Sequence, residues 1–216
     1  FYACVFPKTR LPRSSVVGTT FNRYYSIMSS SEKIVKLDIA VIGAGIAGLW
    51  LTNRLNQKGY DCALFESQAL GCGQTLASQG MIHGGIKYTL GGALSGSSEA
   101  IADMPAHWRA CLKQQGDVDL SEAKVLSDHF YMWSGKGAAS RFTTFLASKA
   151  TRGRVSPVAP ADRPTVLQDP SFRGTLYRLQ DIVLDVPSVV AALAKPIKNR
   201  LFLIDANQDR FYHDQQ

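Results

Sequence analysis

The feature that most constrains the fold is a stretch of 30 residues, positions 37–66, in which a strand, a glycine-rich turn, a helix and a second strand follow one another. The apolar run at 37–42 suits a parallel strand that is covered on both faces. A helix is predicted over 46–58, with apolar residues at helical spacing and Gly59 placed to end it. Residues 63–65 supply the second strand. This order and length are typical of one βαβ unit, so the sequence predicts an α/β fold.

The turn between the first strand and the helix reads Gly-Ala-Gly-Ile-Ala-Gly at residues 43–48, which is a GxGxxG pattern. In this context the first glycine permits a tight turn, the second lets backbone approach a pyrophosphate, and the third allows close packing of helix and strand. The helix N-terminus then faces the phosphate charge. Glu66 ends the second strand 23 residues after Gly43, where a carboxylate can accept hydrogen bonds from ribose hydroxyls. The pattern predicts a dinucleotide, and an acid at this position makes NADP the least favoured one.

The residues after this unit discriminate between NAD and FAD. Residues 71–88 read GCGQTLASQGMIHGGIKY, a stretch that resembles the second flavin-contacting segment of the D-amino-acid oxidase superfamily. Within it, residues 82–88 are particularly similar to the corresponding segment of glycerol-3-phosphate dehydrogenases and L-2-hydroxyglutarate dehydrogenases. The resemblance is strong from residue 37 to about 90 and extends over 91–204 only in the order of elements. It implies FAD as the cofactor.

The resemblance also implies the architecture, which is a Rossmann-like FAD-binding domain interleaved with an α+β substrate domain. We expect an N-terminal extension at residues 1–30, the first part of the FAD-binding domain at 31–98, a substrate-side region at 99–184, and a return to the FAD-binding domain at 185–216. Members of the superfamily have a long C-terminal half with a further glycine-rich flavin contact. No such segment is present here, so we expect a partial sequence whose C-terminal half is missing.

The expected cofactor contacts lie in three short segments. The segment matching residues 75–80 runs beside the flavin phosphates and ring in the superfamily, which explains bare backbone and small hydroxyls there. The predicted cofactor-binding residues are Gly43, Ala44, Gly45, Ile46, Ala47, Gly48, Glu66, Ser67, Thr75, Ser78, Gln79 and Gly80. The candidate catalytic residue is His83, which the resemblance places near the flavin, where an imidazole could accept a proton from a substrate hydroxyl. The alternative is that His83 only holds its loop by hydrogen bonds.

These residues predict an FAD-dependent oxidoreductase that transfers a hydride from a small hydroxyl- or amino-bearing substrate to the flavin. By resemblance, the substrates are 2-hydroxy acids, glycerol phosphate or amino acids, with oxygen or a quinone as electron acceptor. An anionic substrate is plausible, since Arg152, Arg154 and Arg163 lie in one loop, although a solvated basic loop is the simpler interpretation. Two alternatives stay open, an NAD-dependent dehydrogenase and a non-catalytic dinucleotide-binding module.

The charge distribution argues against nucleic acid as a partner. The chain has a net charge of +7, and the first 27 positions contribute four basic residues and no acid to it. That composition fits a mitochondrial presequence, but Met28 also looks like an ordinary start, in which case the leading residues are an upstream artefact. We expect a cytoplasmic protein, or a mitochondrial one if the presequence is genuine. No stretch approaches the roughly 20 apolar residues of a transmembrane helix, and no Cys or His spacing predicts a metal site.

The remaining elements are predicted more coarsely. We expect loops with a short helix over 67–98, and a helix over 99–114 that Pro105 kinks or divides. Further along, the patterns predict a strand at 124–133, a helix at 138–150, a loop at 151–164, a strand at 175–184, a helix at 187–195 and a strand at 201–204.

Overall fold

The fold was determined as a computed structural model that describes residues 2–6, 33–84, 101–134, 155–205 and 210–213. The strands are β1 (Tyr2–Phe6), β2 (Lys33–Leu37), β3 (Ile39–Ile42), β4 (Cys62–Glu66), β5 (Met81–Ile82), β6 (Val125–Ser127), β7 (Phe130–Ser134), β8 (Val155–Pro157), β9 (Thr175–Leu179), β10 (Ile182–Leu184), β11 (Leu201–Leu203) and β12 (Arg210–His213). The helices are α1 (Ile46–Gln57), α2 (Gln74–Ala77), α3 (Met104–Leu112) and α4 (Val186–Ala194). Short 3-10 turns occupy Pro160–Asp162, Thr165–Leu167 and Lys198–Arg200.

The described residues form two compact units between which the chain alternates. Unit 1 takes its residues from Phe1–Ser78, Cys111–Ala123 and Val186–Gln216, and unit 2 from Gln79–Ala110 and Lys124–Asp185. The largest differences from the predicted boundaries are at position 79 and over Cys111–Ala123. Residues from position 79 onward belong to unit 2 because β5 pairs with β10. Cys111–Ala123 belongs to unit 1.

The segment Cys111–Ala123 is joined to the rest of unit 1 by polar contacts that the sequence pattern did not reveal. Arg54 on α1 donates to the Asp117 carbonyl oxygen at 3.2 Å and lies 3.8 Å from the Asp117 carboxylate. Lys195, just after α4, pairs with the Glu122 carboxylate. Contacts between residues so distant in sequence set a boundary that local patterning cannot predict.

The βαβ unit is the centre of unit 1. Parallel β3 and β4 pair from Ile39 opposite Cys62 to Ile42 opposite Phe65, and β11 joins the other side of β4 in the order β11-β4-β3. All five residues of β4 are buried, because this strand is central and covered on both faces. The predicted strand at 37–42 is divided at Asp38, and its last residue, Ile42, is 66% exposed. Burial on both faces therefore belongs to β4 rather than to the first strand.

Helix α1 packs one side against the sheet and α4. Leu49, Thr52 and Asn53 are its buried residues, and the Asn53 amide donates to the Leu49 and Leu193 carbonyl oxygens at 2.9 and 2.7 Å. The helix ends as predicted, one residue before a Lys58 cap and two before Gly59. The α4 residues Val189, Val190 and Leu193 complete the covering layer.

A second sheet of unit 1 contains β1, which was expected to lie outside the fold. The order is β12-β1-β2, with both pairings antiparallel. An edge strand such as β2 presents unpaired N–H and C=O groups, and a further strand that pairs with it satisfies them. Residues 2–6 therefore form part of a sheet, whereas the prediction assigned all of 1–30 to an extension.

Unit 2 is antiparallel, with two three-stranded sheets in the orders β5-β10-β6 and β7-β9-β8. The strand predicted at 124–133 is two strands, β6 and β7, in different sheets. The strand predicted at 175–184 is likewise β9 and β10, which are separated by Gln180 and Asp181. The predicted loop at 151–164 contains β8, and Pro105 lies in the first turn of α3, where a proline is tolerated. The helix predicted at 138–150 lies outside the described residues.

The described helices are all too short, or too polar, to span a lipid bilayer.

Candidate cofactor and active site

The GxGxxG turn is shaped by contacts that only glycine permits at two positions. Gly43 has φ +98°, a left-handed conformation that costs little without a Cβ, and its N–H donates to the Phe65 carbonyl oxygen at 2.7 Å. A Cβ on Gly48 would lie 2.0 Å from the Gly43 carbonyl oxygen and 3.1 Å from Leu64 Cδ1. The turn, α1 and β4 therefore meet at backbone distance, which is the arrangement predicted for the third glycine of the pattern.

The N-terminus of α1 opens onto this turn without an acidic neighbour of its own. Gly45 is the N-cap residue and provides no side-chain cap, and the first turn contains no Asp or Glu. The Ile46 N–H donates to the Thr75 hydroxyl oxygen at 3.1 Å. The first N–H groups of a helix lack intrahelical acceptors and carry a partial positive charge. Such an end fits the pyrophosphate of a dinucleotide.

The Glu66 carboxylate organises the other side of the turn. Its Oε2 accepts from the Ala44 N–H at 2.8 Å, and its Oε1 accepts from the Ser67 and Gln68 N–H groups at 2.8 and 2.9 Å. An ionised carboxylate offers about four lone-pair sites, so three backbone donors leave about one for a ribose hydroxyl. Glu66 thus fits a ribose contact while it also fastens the turn to the end of β4.

The predicted second segment divides between the two units. In unit 1, the Gly71 N–H donates to the Ala44 carbonyl oxygen at 2.7 Å, and this bond fastens the start of the segment to the turn. Thr75 lies on α2 against the start of α1, whereas Ser78 is exposed and its hydroxyl donates to the Thr75 carbonyl oxygen at 2.8 Å. Gln79 and Gly80 already belong to unit 2. The structure therefore brings Thr75 to the glycine turn and leaves Ser78 at the surface of unit 1.

His83 of unit 2 has a partner that sequence reasoning missed. Its Nδ1 lies 2.9 Å from Oδ2 of Asp181, whose side chain is only 6% exposed. The other oxygen, Oδ1, accepts from the Gly84 N–H at 3.1 Å. The available sequence signal for Asp181 was an acid within the apolar run that was predicted as one strand, since a carboxylate that becomes buried in such a run needs partners.

The family follows from comparison with known proteins. A model of the family described as FAD dependent oxidoreductase matches residues 38–200, more than half of the chain. The chain belongs to this family. FAD is accordingly its cofactor, as the sequence predicted, and the NAD alternative is set aside.

Relatives of this chain agree with the family assignment. The chain is 52% identical over 158 residues to the probable FAD-dependent oxidoreductase PA4991 of Pseudomonas aeruginosa. The match spans 73% of this chain and 40% of PA4991. The solved structure of PA4991 superposes with a TM-score of 0.56 at 42% identity over 74% of this chain and 36% of that one. Glycine oxidase from Geobacillus kaustophilus shares the fold, with a TM-score of 0.60 at 18% identity over 78% of this chain and 46% of that one. The chain thus spans about two fifths of the curated relative.

A shorter match connects the chain to a glycerol-3-phosphate dehydrogenase. The chain is 34% identical over 59 residues to the probable mitochondrial glycerol-3-phosphate dehydrogenase of Dictyostelium discoideum, and the match spans 27% of this chain and 9% of that protein. This similarity agrees with the resemblance to glycerol-3-phosphate dehydrogenases.

Of the three loop arginines considered for an anionic substrate, Arg152 and Arg154 lie outside the described residues. Arg163 stacks on the Phe172 ring at 5.1 Å and donates to the Gly174 carbonyl oxygen at 3.4 Å, so it fastens its own loop. Among the residues that the structure describes, no group of three or more His, Cys, Asp or Glu side chains could hold a metal ion.

Proposed function

We propose that this chain binds the adenosine and pyrophosphate part of FAD and belongs to an enzyme that oxidises a small donor bearing a hydroxyl or amino group. The observation that carries the proposal is the joint geometry of the turn at 43–48, the start of α1 and the Glu66 carboxylate. The N–H groups at the start of α1 would hold the pyrophosphate, the remaining acceptor site of Glu66 would take a ribose hydroxyl, and the segment around Thr75 would line the phosphates.

The chain's own part in the reaction is binding, orientation and movement of one proton. When bound, FAD supplies an acceptor for the hydride that leaves the donor carbon. His83 accepts the proton of the donor hydroxyl or amine, so that the donor becomes a carbonyl compound or an imine. The proposed final acceptor of the two electrons is oxygen or a quinone. The proton and the hydride together balance the two-electron oxidation.

The proposed donor is a small anion. The printed names of similar proteins include a glycerol-3-phosphate dehydrogenase, a glycine oxidase, an L-amino acid deaminase and an L-proline dehydrogenase. Each of the donors in these names joins a hydroxyl or amine to an acidic group. The 2-hydroxy acids have the same chemistry and complete the substrate class.

Cofactor binding is tested on the full-length protein that contains this chain. Flavin absorbance and FAD affinity are measured for the wild type, Gly45→Val and Glu66→Ala, with Glu122→Ala as an exposed carboxylate control. A Cβ on Gly45 would lie 3.2 Å from the Thr75 hydroxyl, and valine adds two methyl groups to it. We expect both site variants to weaken FAD binding about tenfold or more, the loss of about one charge-assisted hydrogen bond. Unchanged affinity in both would remove the proposed placement of FAD.

Donor oxidation is tested separately. The FAD-loaded protein is mixed without oxygen with glycerol 3-phosphate, 2-hydroxyglutarate, glycine or L-proline, and loss of the flavin absorbance is followed. Bleaching by one of them supports the enzyme and selects the donor. A protein that binds FAD and is reduced by none of the four would favour the non-catalytic dinucleotide-binding module.

The cytoplasmic location stays a prediction, and imaging of the full-length protein with and without residues 1–27 tests it. Mitochondrial signal that requires those residues would establish the presequence alternative.

A further inference from the structure

We propose that Asp181 is a positioning residue that holds the His83 ring with its proton on Nδ1, which leaves Nε2 as the proton acceptor for the donor. This inference rests on the proposed function, because it names the residue that prepares the proposed proton acceptor. In this arrangement His83 contacts the donor, and Asp181 acts only through the His83 ring.

Strand register brings the two residues together. β5 and β10 pair antiparallel, with Ile82 opposite Ile182 and Met81 opposite Val183. Continuation of that register by one residue places His83 opposite Asp181, although the two are 98 positions apart in sequence. β10 also pairs with β6 on its other side, so the strand that begins directly after Asp181 is the central one of its sheet.

The backbone before Asp181 is fastened as well. The Arg109 guanidinium donates to the Gln180 carbonyl oxygen at 2.6 Å and to the Asp128 carbonyl oxygen at 2.9 Å. The backbone on the His83 side is also enclosed, because Gly84 is buried with Pro105 and Ala102 near its Cα. A carboxylate on such a frame can hold a ring orientation that a mobile side chain would not.

The hydrogen bonds of the carboxylate decide which ring nitrogen carries the proton. The Gly84 N–H donates to Oδ1 of Asp181, and His83 Nδ1 lies 2.9 Å from Oδ2. An ionised carboxylate only accepts, so the imidazole nitrogen that faces it must be N–H. In a neutral ring the other nitrogen, Nε2, then keeps its lone pair.

Exposure divides the pair in the way the role requires. The His83 side chain is 33% exposed, whereas that of Asp181 is 6% exposed. Within the described part of the chain, no residue is a hydrogen-bond partner of Nε2. The carboxylate is therefore buried behind the ring, and the free nitrogen belongs to the partly exposed residue. An acid that orients a histidine base in this manner stabilises the imidazolium that forms when the base takes a proton.

A second Asp–His contact in unit 2 serves as the comparison. The Nδ1 of His129 contacts Asp128, but that carboxylate is exposed and also lies 3.4 Å from Arg178. Arg178 additionally lies 3.2 Å from His129 Nδ1. This exposed group has an arginine that competes for the same atoms, so it lacks the defined tautomer expected of the buried pair.

The first test reads the tautomer directly in the full-length, FAD-loaded wild type. Long-range nitrogen–proton NMR correlations are recorded on protein with 15N-labelled histidine in mildly alkaline solution, and the His83 signals are assigned by their absence in His83→Gln. We expect Nδ1 to be protonated and Nε2 to be bare. A ring with its proton on Nε2, or on both nitrogens, overturns the inference without any change to Asp181.

The second test uses Asp181→Asn, with Asp128→Asn as the matched control. The asparagine keeps the size of the side chain and an oxygen for the Gly84 N–H, and retained flavin absorbance and circular dichroism verify the fold. We expect the His83 proton to move to Nε2 and flavin reduction by the active donor to slow about 100-fold. The control should change only the His129 signals.

The outcomes separate the inference from the proposed function. If Asp181→Asn slows reduction while the His83 tautomer is unchanged, the residue is merely structural and the inference is wrong. If no donor reduces the wild-type flavin, the proposed function fails, while the tautomer of the wild type still decides whether Asp181 holds the ring. If the tautomer changes and reduction does not, His83 is not the proton acceptor.

Discussion

Replacement of Gly48 by alanine tests the close contact on which the glycine turn depends. The added Cβ would lie 2.0 Å from the Gly43 carbonyl oxygen, whereas unstrained contact needs about 3.5 Å. Helix and turn must therefore separate by about 1.5 Å. The carbonyl cannot simply retreat, because the Gly43 N–H is bonded to Phe65 and the turn continues from β3.

The free energy of unfolding should fall by about 2 kcal/mol. Overpacking of this kind costs about 1 to 3 kcal/mol, and we take the upper end because the opposing atom is backbone. Alanine recovers about 1 kcal/mol of helix propensity relative to glycine. The net loss is large against a typical total of about 5 to 15 kcal/mol. FAD binding should weaken about tenfold or more, because the displaced N–H groups lose about one charge-assisted hydrogen bond to the phosphates.

Gly59→Ala at the other end of α1 is the matched control. Gly59 has φ +89° but open space where a Cβ would lie, so alanine there costs about 1 to 2 kcal/mol of backbone strain without moving the turn. Urea unfolding of the FAD-free full-length protein gives the stability of each variant, and quenching of FAD fluorescence gives the dissociation constant. Equal stability and equal FAD affinity of Gly48→Ala and wild type would refute the reasoning. Weakened FAD binding in the control would show that lost stability, and not turn geometry, reduces affinity.

Three further outcomes can be checked with the same protein. Asn53→Ala removes a buried amide that bonds the Leu193 carbonyl oxygen, so urea unfolding should show a loss of about 1 to 3 kcal/mol. The Ser121 N–H donates to the Asp119 carboxylate, and this hydrogen bond is the main cause of the lowered pKa of Asp119. The stability that ionised Asp119 contributes is therefore present above the ordinary carboxyl pKa and is lost as pH falls through the lowered pKa of Asp119. The difference in urea midpoint between the wild type and Asp119→Asn should vanish as pH falls through that lowered pKa. Burial raises the pKa of the Cys62 thiol, so iodoacetamide followed by mass spectrometry should label the half-buried Cys72 first; preferential labelling of Cys62 would contradict its burial.

The predicted elements succeed where their determinants are neighbours in sequence. Gly59 follows the end of α1 directly after the Lys58 cap. In the 43–48 turn, Gly43 adopts φ +98° and Gly48 leaves room for the Gly43 carbonyl oxygen five residues before it. The predictions fail where one pattern is interrupted by a polar pair. Gln180 and Asp181 interrupt an apolar run that was predicted as one strand, and the two resulting strands pair in different sheets.

The candidate site shows the same division. Glu66 was predicted as a ribose contact, but its three backbone donors follow from how β4 ends beside the turn, which the pattern does not display. Thr75 was predicted as a phosphate contact, and the structure adds its bond to Ile46. Ser78 was predicted from the same segment and is exposed in unit 1, so its contact with the cofactor stays a prediction.

The sequence by itself determined that this chain contains a dinucleotide-binding βαβ unit, because glycine spacing, an apolar strand and a terminal acid act over about 30 residues. FAD as the cofactor followed from the family resemblance of residues 71–88. Only the tertiary structure decided that His83 meets Asp181. That contact joins residues 98 positions apart through the register of β5 on β10. A shift of one residue would turn each side chain to the other face of the sheet, and no local pattern in either strand records which register is adopted.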